Sequence, residues 1–234
     1  MATKRLDKRK IEETREVKAK VGVIPRADGS AMFSFGDSVA IAAVYGPKKI
    51  IPAHSSKPDK CVLRCFYDMN SFSVTERKRP GPSRRSTEIS FETTKALEPV
   101  LDLEAFPGSV IDVFIMIVQA DASTRCAGIN AASMALAQAG LPMKELVSSV
   151  AVGKIGDLIV ADLSKEEEDF KVKGEKSATD IATSFTSRSG KLTLLHLDGK
   201  VTQKELKEAL ELAKKVSQNV TDIQTKALKD IKDQ

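Results

Sequence analysis

Residues 110–140, VIDVFIMIVQADASTRCAGINAASMALAQAG, decide the fold of this chain. The stretch begins with an apolar, β-branched run over residues 110–118, which predicts a buried strand. A polar break over residues 119–125 follows it. The alanine-rich residues 127–138 then predict a helix, which Gly140 ends. The order of these patterns predicts a strand, a tight turn and a helix in direct succession.

The turn between this strand and helix has two interpretations. Backbone N–H groups at the positive end of a helix dipole attract anions, so the turn indicates an oxyanion or phosphate site. Ser123 and Thr124 add hydroxyl donors, and Arg125 adds a planar guanidinium suited to phosphate. The alternative is that Asp121 or Ser123 merely caps a core helix while Arg125 is solvated. The residues of this stretch leave both interpretations open.

The composition of the chain restricts its class. Its 234 residues fit one large domain or two small ones, and a formal net charge of +5 permits an anionic partner without requiring one. The three cysteines lack the paired spacing of a zinc site, and two histidines are too few for a histidine-rich metal cluster. No signal peptide and no membrane-length apolar run is found, so we expect an intracellular, cytoplasmic protein without a membrane partner.

Outward from the central stretch, the patterns on both sides repeat one order, in which strands precede a long helix. They predict strands at 17–23, 31–35, 39–45, 61–69, 148–154, 158–162, 179–187 and 192–197, and helices capped by Ser83 and Thr202. A hairpin signal lies at Asp28-Gly29, and Gly46-Pro47 is expected to end the third strand. The predicted fold class is therefore α+β, with antiparallel sheets packed against long helices.

Two charged segments lie outside these elements, one before the first strand and one between the strands at 158–162 and 179–187. The basic head at residues 4–10, KRLDKRK, is expected to be solvated, and either mobile or bound to a partner. We therefore assign residues 1–15 to a basic N-terminal segment and residues 16–234 to a single domain. Residues 164–176, SKEEEDFKVKGEK, predict a charged loop.

Two arginines and two acids are candidates for chemistry. Arg84 and Arg85 fall in the first turn of the helix capped by Ser83, where the dipole disfavours each cation by about 0.3–1 kcal/mol. A bound anion would offset that cost, although both side chains could equally be exposed and screened. Asp180 could be an acid at a site or a strand-end cap, and Asp169 could belong to a solvated acidic run.

Thirteen short segments, taken in order, carry a resemblance to a known family. They are VGV at 21–23, DGSA at 28–31, AIAAVYGP at 40–47, PDK at 58–60, VLR at 62–64, FS at 72–73, ERK at 76–78, PSRR at 82–85, IDVF at 111–114, QAD at 119–121, AASMAL at 131–136, GLPM at 140–143 and VAVGK at 150–154. Together they resemble the RNase PH family, and within it the catalytic ring subunits of archaeal RNA exosomes. The resemblance extends from about Leu6 to Leu228.

This resemblance implies a fold, an activity and partners. The fold is the RNase PH fold, which is ribosomal-protein-S5-domain-2-like, in a six-membered ring with a paralogous RNase PH-like subunit and RNA-binding cap subunits. The activity is processive 3′-to-5′ phosphorolysis of RNA, with inorganic phosphate as co-substrate, nucleoside diphosphates as products and Mg²⁺ as an optional cofactor. Alternatives in the family are a catalytically inactive ring subunit and a homohexameric enzyme that trims tRNA 3′ ends.

The family's phosphate-binding residues carry over by position. Arg84 and Arg85 match an arginine pair that holds the RNA 3′ end and phosphate, and Ser123, Thr124 and Arg125 match the phosphate-binding turn. The presence of these residues and of Asp180 favours an active subunit, and the PSRR and GLPM stretches favour the exosome branch.

The remaining family roles concern acid chemistry and RNA contact. Asp180 matches the residue proposed as general acid or metal ligand, and Asp169 matches a second acid. Lys60 matches a position at the ring constriction, and Tyr67 matches one where a base stacks. The adjacent loop cations Arg77, Lys78 and Arg79 are further candidates for RNA contact.

Three positions depart from the family pattern. Ser123 stands where the family usually has glycine, and Asp7-Lys8-Arg9 stands where it has Asp-Gly-Arg. The loop between Asp169 and Asp180 is longer than the family pattern. We therefore expect Asp169→Asn to impair turnover much less than Asp180→Asn.

Overall fold

The computed structural model describes residues 5–169, 171–172, 175–176 and 178–230, with the backbone alone at 171–172 and 175–176. Its strands are β1 Val17–Val21, β2 Gly29–Phe35, β3 Ser38–Lys49, β4 Val62–Met69, β5 Ser109–Gln119, β6 Val147–Ile155, β7 Leu158–Ala161, β8 Lys171–Val172, β9 Glu175–Lys176, β10 Ala178–Thr186 and β11 Leu192–Asp198. Its helices are α1 Arg84–Leu97, α2 Thr124–Gln138, α3 Lys165–Glu168 and α4 Gln203–Lys229. Every strand and helix predicted above is present, with small shifts of its ends.

The first sheet has the strand order β1-β2-β3-β5-β4. Its pairs are antiparallel except β4 and β5, which are parallel. The expectation of purely antiparallel sheets is therefore wrong at this edge. The physical reason is that α1 lies between β4 and β5 in the chain, and a helical crossover returns the chain in the same direction.

Strand β3 continues beyond Gly46-Pro47, where the sequence predicted its end. Its pairing with β5 is irregular between Tyr45 and Lys48 and then resumes with Lys48 opposite Val110. Proline lacks a backbone N–H, and it is tolerated at such an irregularity because no ladder hydrogen bond is lost there.

The second sheet is antiparallel, with the order β11-β10-β6-β7. The predicted charged loop at 164–176 contains α3 and the small β8–β9 hairpin, so that prediction is wrong where the segment is described. Helix α3 forms because Ser164 and Glu167 make a capping box, in which each side chain meets the other residue's backbone N–H.

Helix α2 lies at the centre of the molecule, where it contacts strands of both sheets. Every residue from Thr124 to Leu136 is buried, which small side chains at Ala127, Gly128 and Ala131 permit. Helix α4 packs an apolar stripe against β6 and β1. One hydrophobic core therefore includes residues of both sheets.

The N-terminal segment is docked on the domain over its described residues, while residues 1–4 lie outside them. The guanidinium of Arg5 is buried and donates to both carboxylate oxygens of Glu167, at 3.0 and 2.8 Å. It also donates to the carbonyl oxygens of Ala161 and Asp162. The expectation of a solvated head is thus wrong for Arg5. Lys8, at a position where the resemblance to the RNase PH family implies glycine, has a left-handed φ of +64°.

All three cysteines are buried and unpaired. Burial raises the pKa of Cys65 and of Cys126 to about 12, and it also raises the pKa of Cys61. Within the described residues, no helix combines the length and the apolar character needed to cross a membrane.

Candidate active site

The turn before α2 has a strained backbone. Ala122 and Ser123 have left-handed φ values of 55° and 52°, and each such residue costs about 1–2 kcal/mol when it is not glycine. Ser38 supports the turn because its hydroxyl accepts from the Asp121 N–H and donates to the Ala122 carbonyl. Helix α2 begins at Thr124, earlier than predicted, and Ser123 makes no side-chain cap. The interpretation that Ser123 caps the helix is therefore wrong.

Asp162 holds the turn from the other side. Its carboxylate accepts from the Ser123 hydroxyl at 2.9 Å and from the Arg15 guanidinium at 2.7 and 2.9 Å. Arg15 also donates to the Asp121 carboxylate at 2.8 Å. Burial alone would raise the pKa of Asp162, but the hydrogen bonds and charge of Arg15, with the Ser123 hydroxyl, outweigh burial and lower it. The Ser123 hydroxyl is therefore committed to Asp162.

The backbone N–H groups of the first α2 turn have no intrahelical acceptor and are directed along the helix axis towards its N-terminal end. Beside them lies a small cavity of about 40 Å³. Its polar lining residues are Arg85, Ser123, Thr124, Arg125, Glu168 and Asp180. The structure thus brings together all three residues of the predicted phosphate turn, one of the paired arginines and the predicted acid.

A larger cleft of about 650 Å³ adjoins this cavity. The two spaces share Arg85, Thr124 and Glu168 in their walls, and the cleft adds Met69, Glu76 and Asp169. A cleft of this size is typical of sites for small molecules such as nucleotides.

The predicted arginine pair lies at the start of α1, as the sequence predicted. Ser83 accepts from the Ser86 N–H and completes a capping box, so the helix begins at Arg84. Both arginines are exposed, and in the described part of the chain neither belongs to a salt bridge. Arg85 lines the cavity and the cleft, whereas Arg84 lines neither.

Asp180 is half-buried on β10. Burial raises the pKa of this carboxyl, the charge of Glu168 raises it further, and Arg125, His196 and Arg85 oppose the rise. Among the described residues, the Asp180 side chain has no hydrogen-bond partner. It is therefore an acid whose proton is retained to a higher pH than usual.

The resemblance to the RNase PH family assigns the role of second acid to Asp169. In the structure, the acid that lies beside Asp180 is Glu168. Glu168 lines the small cavity, whereas Asp169 lines only the outer cleft. Lys165 forms a salt bridge with each of them, at 3.2 Å to Glu168 and 3.1 Å to Asp169. No sequence pattern separates Glu168 from the acidic run around it, because that run is predicted as a loop. The helical turn of α3 determines which acid faces the cavity.

The predicted RNA contacts divide into two groups. Tyr67 is only 4% exposed, and its hydroxyl donates to Thr124 at 3.1 Å, so a stacking role for its ring is wrong in this structure. Lys78 forms an ion pair with Asp68 instead of facing solvent freely. Arg77 and Arg79 are exposed on the loop beside the cleft.

Lys60 lies before β4, at the end opposite the cavity. The strand runs from Val62 to Met69, which at about 3.3 Å per residue separates Lys60 from Met69 by roughly 25–30 Å. The structure therefore does not bring Lys60 to the site, and its role at a constriction stays a prediction.

Glu92 and His196 are site neighbours that no pattern in the sequence indicates. Glu92 forms an ion pair with Arg125 at 3.0 Å and contacts His196 at 2.7 Å. Together with Glu88, their ligand atoms lie within 4.8 Å of one another, a spacing that a metal ion could use. The signal was absent from the sequence because 104 residues separate Glu92 from His196.

Comparisons with known proteins identify the family of this chain. The model of the 3′ exoribonuclease family, domain 1, matches residues 13–142, and the model of domain 2 matches residues 145–216. Exosome complex component Rrp41 of Thermococcus kodakarensis is 50% identical over 227 residues, which cover 97% of this chain and 89% of the relative. Rrp41 of Archaeoglobus fulgidus is 46% identical over 227 residues, covering 96% and 86%.

A solved structure shares the fold. One chain of the Archaeoglobus fulgidus exosome with RNA bound to the active site has a TM-score of 0.79 and 21% identity, covering 94% of this chain and 92% of that one. The predicted RNase PH fold and α+β class are thus confirmed. Both family models and the near full-length identity to Rrp41 sequences show that this chain belongs to the 3′ exoribonuclease family, which is the RNase PH family.

Proposed function

We propose that this chain is the catalytic subunit of an exosome-type ring that degrades RNA processively from the 3′ end by phosphorolysis. One observation carries the proposal: Arg85, Arg125 and the first residue of α2, Thr124, line one cavity together with Asp180. An inactive ring subunit would have no need of that convergence. The family and the Rrp41 relatives support the exosome branch over a tRNA-trimming enzyme.

The cations of the site reduce the electrostatic repulsion between the two reactants. An oxygen of inorganic phosphate attacks the phosphorus of the last phosphodiester, a new P–O bond forms, and the bond to the 3′ oxygen of the preceding nucleotide breaks. Both reactants are anions and repel each other. Arg85 and Arg125 offset that repulsion and orient the phosphate, while Thr124 retains its own O–H as a donor.

Asp180 supplies the proton for the leaving 3′ oxygen. Its raised pKa keeps a larger fraction protonated near neutral pH than an ordinary aspartate would have. The products are a nucleoside diphosphate and an RNA shortened by one nucleotide. Because a phosphate ester and an anhydride are exchanged, the same site can run in reverse and extend RNA.

A divalent metal such as Mg²⁺ fits the chemistry of the acidic side of the cavity. Asp180 and Glu168 offer carboxylate oxygens, which are the ligands that Mg²⁺ prefers, and Asp180 has no partner in the described residues. As an alternative to proton donation by Asp180, the ionised carboxylates of Asp180 and Glu168 would hold the ion, which would stabilise negative charge on the leaving oxygen.

The proposed partners are RNA, a paralogous RNase PH-like subunit that completes a hexameric ring, and RNA-binding cap subunits. The Archaeoglobus exosome supports a ring with a second type of chain, because its matched chain is 21% identical to this one whereas the Rrp41 of that organism is 46% identical. The cytoplasmic location stays a prediction.

The deciding experiment supplies poly(A) and inorganic phosphate to the chain, alone and with a candidate ring partner, and measures ADP. We expect ADP only when phosphate is present, and extension of RNA when ADP is in excess without phosphate. Release of AMP in phosphate-free buffer would mean hydrolysis and reject the proposal. RNA binding without ADP in the assembled ring would instead indicate an inactive subunit.

A further inference from the structure

We propose that Glu92 is a positioning residue that fixes the guanidinium of Arg125 for phosphate, and that His196 holds Glu92 in place. This inference rests on the proposed function, because it assigns a purpose to Arg125 at the phosphate site. It concerns three side chains from three elements: Glu92 on α1, Arg125 on α2 and His196 on β11.

Glu92 has one partner for each of its carboxylate oxygens. Oε2 lies 3.0 Å from Arg125 Nε, and Oε1 lies 2.7 Å from His196 Nδ1. Because a carboxylate can only accept, His196 donates from Nδ1. The carboxylate therefore bridges a ring on β11 and a guanidinium on α2.

The contact between Glu92 and Arg125 is an ion pair whose N–H does not point directly at the oxygen. Arg125 Nε and Glu92 Oε2 are both buried, and neither has a hydrogen-bond partner elsewhere among the described residues. Each atom is thus the other's sole polar contact there. Removing either one leaves a buried polar group without compensation, which is costly.

The contact at Nε leaves the two Nη groups of Arg125 available to a ligand. The Arg125 side chain is 10% exposed and lines the cavity, and in the described part of the chain its two Nη groups donate no hydrogen bond. A guanidinium is planar, so a constraint on Nε also sets the direction of both Nη groups. Glu92 therefore directs the two Nη groups of Arg125 into the cavity.

The direction of the change in phosphate affinity distinguishes a positioning role of Glu92 from a purely electrostatic one. Glu92 is negative and lies beside a site for an anion, so by charge alone it weakens phosphate binding. If charge were its whole effect, its removal would tighten phosphate binding. If it positions Arg125, its removal would weaken phosphate binding despite the loss of a repulsive charge.

The test compares Glu92→Leu with Glu92→Gln. We measure the Kd for inorganic phosphate by calorimetry and the KM for phosphate in the assembled enzyme. Loss of a hydrogen bond or ion pair to a charged group corresponds to about a tenfold or larger change, so we expect Kd and KM to rise at least tenfold in Glu92→Leu. Glu92→Gln keeps the shape and an acceptor oxygen and should restore most of the affinity.

Three further variants complete the test. His196→Leu should raise the KM for phosphate, but less than Glu92→Leu does. His196→Gln keeps a hydrogen-bond donor and should return the KM close to the wild-type value. Glu88→Gln is the matched control. Glu88 lies on α1, as Glu92 does, and is 3.8 Å from His196, but it forms no ion pair with Arg125. RNA affinity should stay unchanged in all variants.

The outcomes distinguish the inference from the function on which it rests. An unchanged or lower Kd for phosphate in Glu92→Leu, with a folded protein by circular dichroism, overturns the positioning role. The expected pattern of Kd values without any release of nucleoside diphosphate would keep the positioning role and reject phosphorolysis. If the wild-type chain binds no phosphate, both fail.

Discussion

At the scale of single residues, Asp180 combines an unfavourable environment with the most direct part in the proposed chemistry. It carries no hydrogen bond from a described neighbour, and Glu168 adds a second negative charge beside it. A carboxyl in this position is easily protonated and available to a ligand. The molecule retains this acid at a cost in stability.

The variant Asp180→Asn should separate activity from stability. Turnover should fall by about two orders of magnitude, as expected when a general acid is lost, while RNA binding persists. Folding raises the pKa of Asp180, so the ionised side chain lowers the free energy of unfolding. This loss of stability is absent below the ordinary aspartate pKa of about 3.9, grows as the pH rises, and is complete above the pKa of the folded state.

We therefore expect Asp180→Asn to raise the Tm at neutral pH, with a gain that shrinks as the pH falls towards the ordinary value. Thermal unfolding across pH checks this. The control is Asp198→Asn, an exposed aspartate opposite Asp180 on β11. Near-normal turnover in Asp180→Asn would remove it from the mechanism.

Glu168→Gln and Asp169→Asn test which neighbour acts on Asp180. The charge of Glu168 raises the pKa of Asp180, so its removal should lower that pKa and move the alkaline limb of the pH–rate profile to lower pH. Asp169→Asn should leave the limb in place, because Asp169 lines only the outer cleft. If Asp169→Asn moves the limb instead, the two acids exchange roles.

At the scale of elements, α1 presents two arginines that differ in their surroundings. Arg85→Ala should raise the KM for phosphate by about tenfold or more, because a charge-assisted contact is lost. Arg84→Ala should have a smaller effect, since Arg84 lines neither the cavity nor the cleft. Phosphate titrations of both variants at equal RNA concentration measure the difference. Equal effects would contradict this assignment.

The elements themselves could be predicted from periodicity, and the site only in part. Strand β5 and helix α2 follow from apolar patterns, and the arginines at the start of α1 follow from the Ser83 cap. The burial of Tyr67 could not be foreseen, because it depends on Thr124 and Gly128 of α2 lying against its side chain. Glu92 and His196 meet only through the tertiary fold, and no local pattern marks such a pair.

At the scale of the whole molecule, the N-terminal segment is a structural part of the active site. Arg5 binds Glu167 on α3, the helix that places Glu168 at the cavity. Arg15 and Asp162 connect the same region to the strained turn at Ser123. The segment thus stabilises two walls of the site.

Arg5→Ala should therefore destabilise the whole fold. It removes the closer of two cations from the fully buried Glu167 and leaves only the contact with Arg9 at 3.6 Å, and breaking a buried ion pair costs about 3–5 kcal/mol. Urea unfolding measures the loss. Lys10→Ala is the control, because Lys10 is exposed and meets Arg5 only through its backbone carbonyl. An equal loss in both variants would mean that the ion pair is unimportant.

The burial of the three cysteines has a practical consequence. Thiol-directed dyes react with the thiolate, and buried thiols with raised pKa values supply very little of it near neutral pH. A single cysteine introduced at Lys204, whose side chain is 87% exposed, would be the site of rapid maleimide attachment. A fluorescent reporter of RNA capture can thus be placed on the chain while its three native cysteines remain.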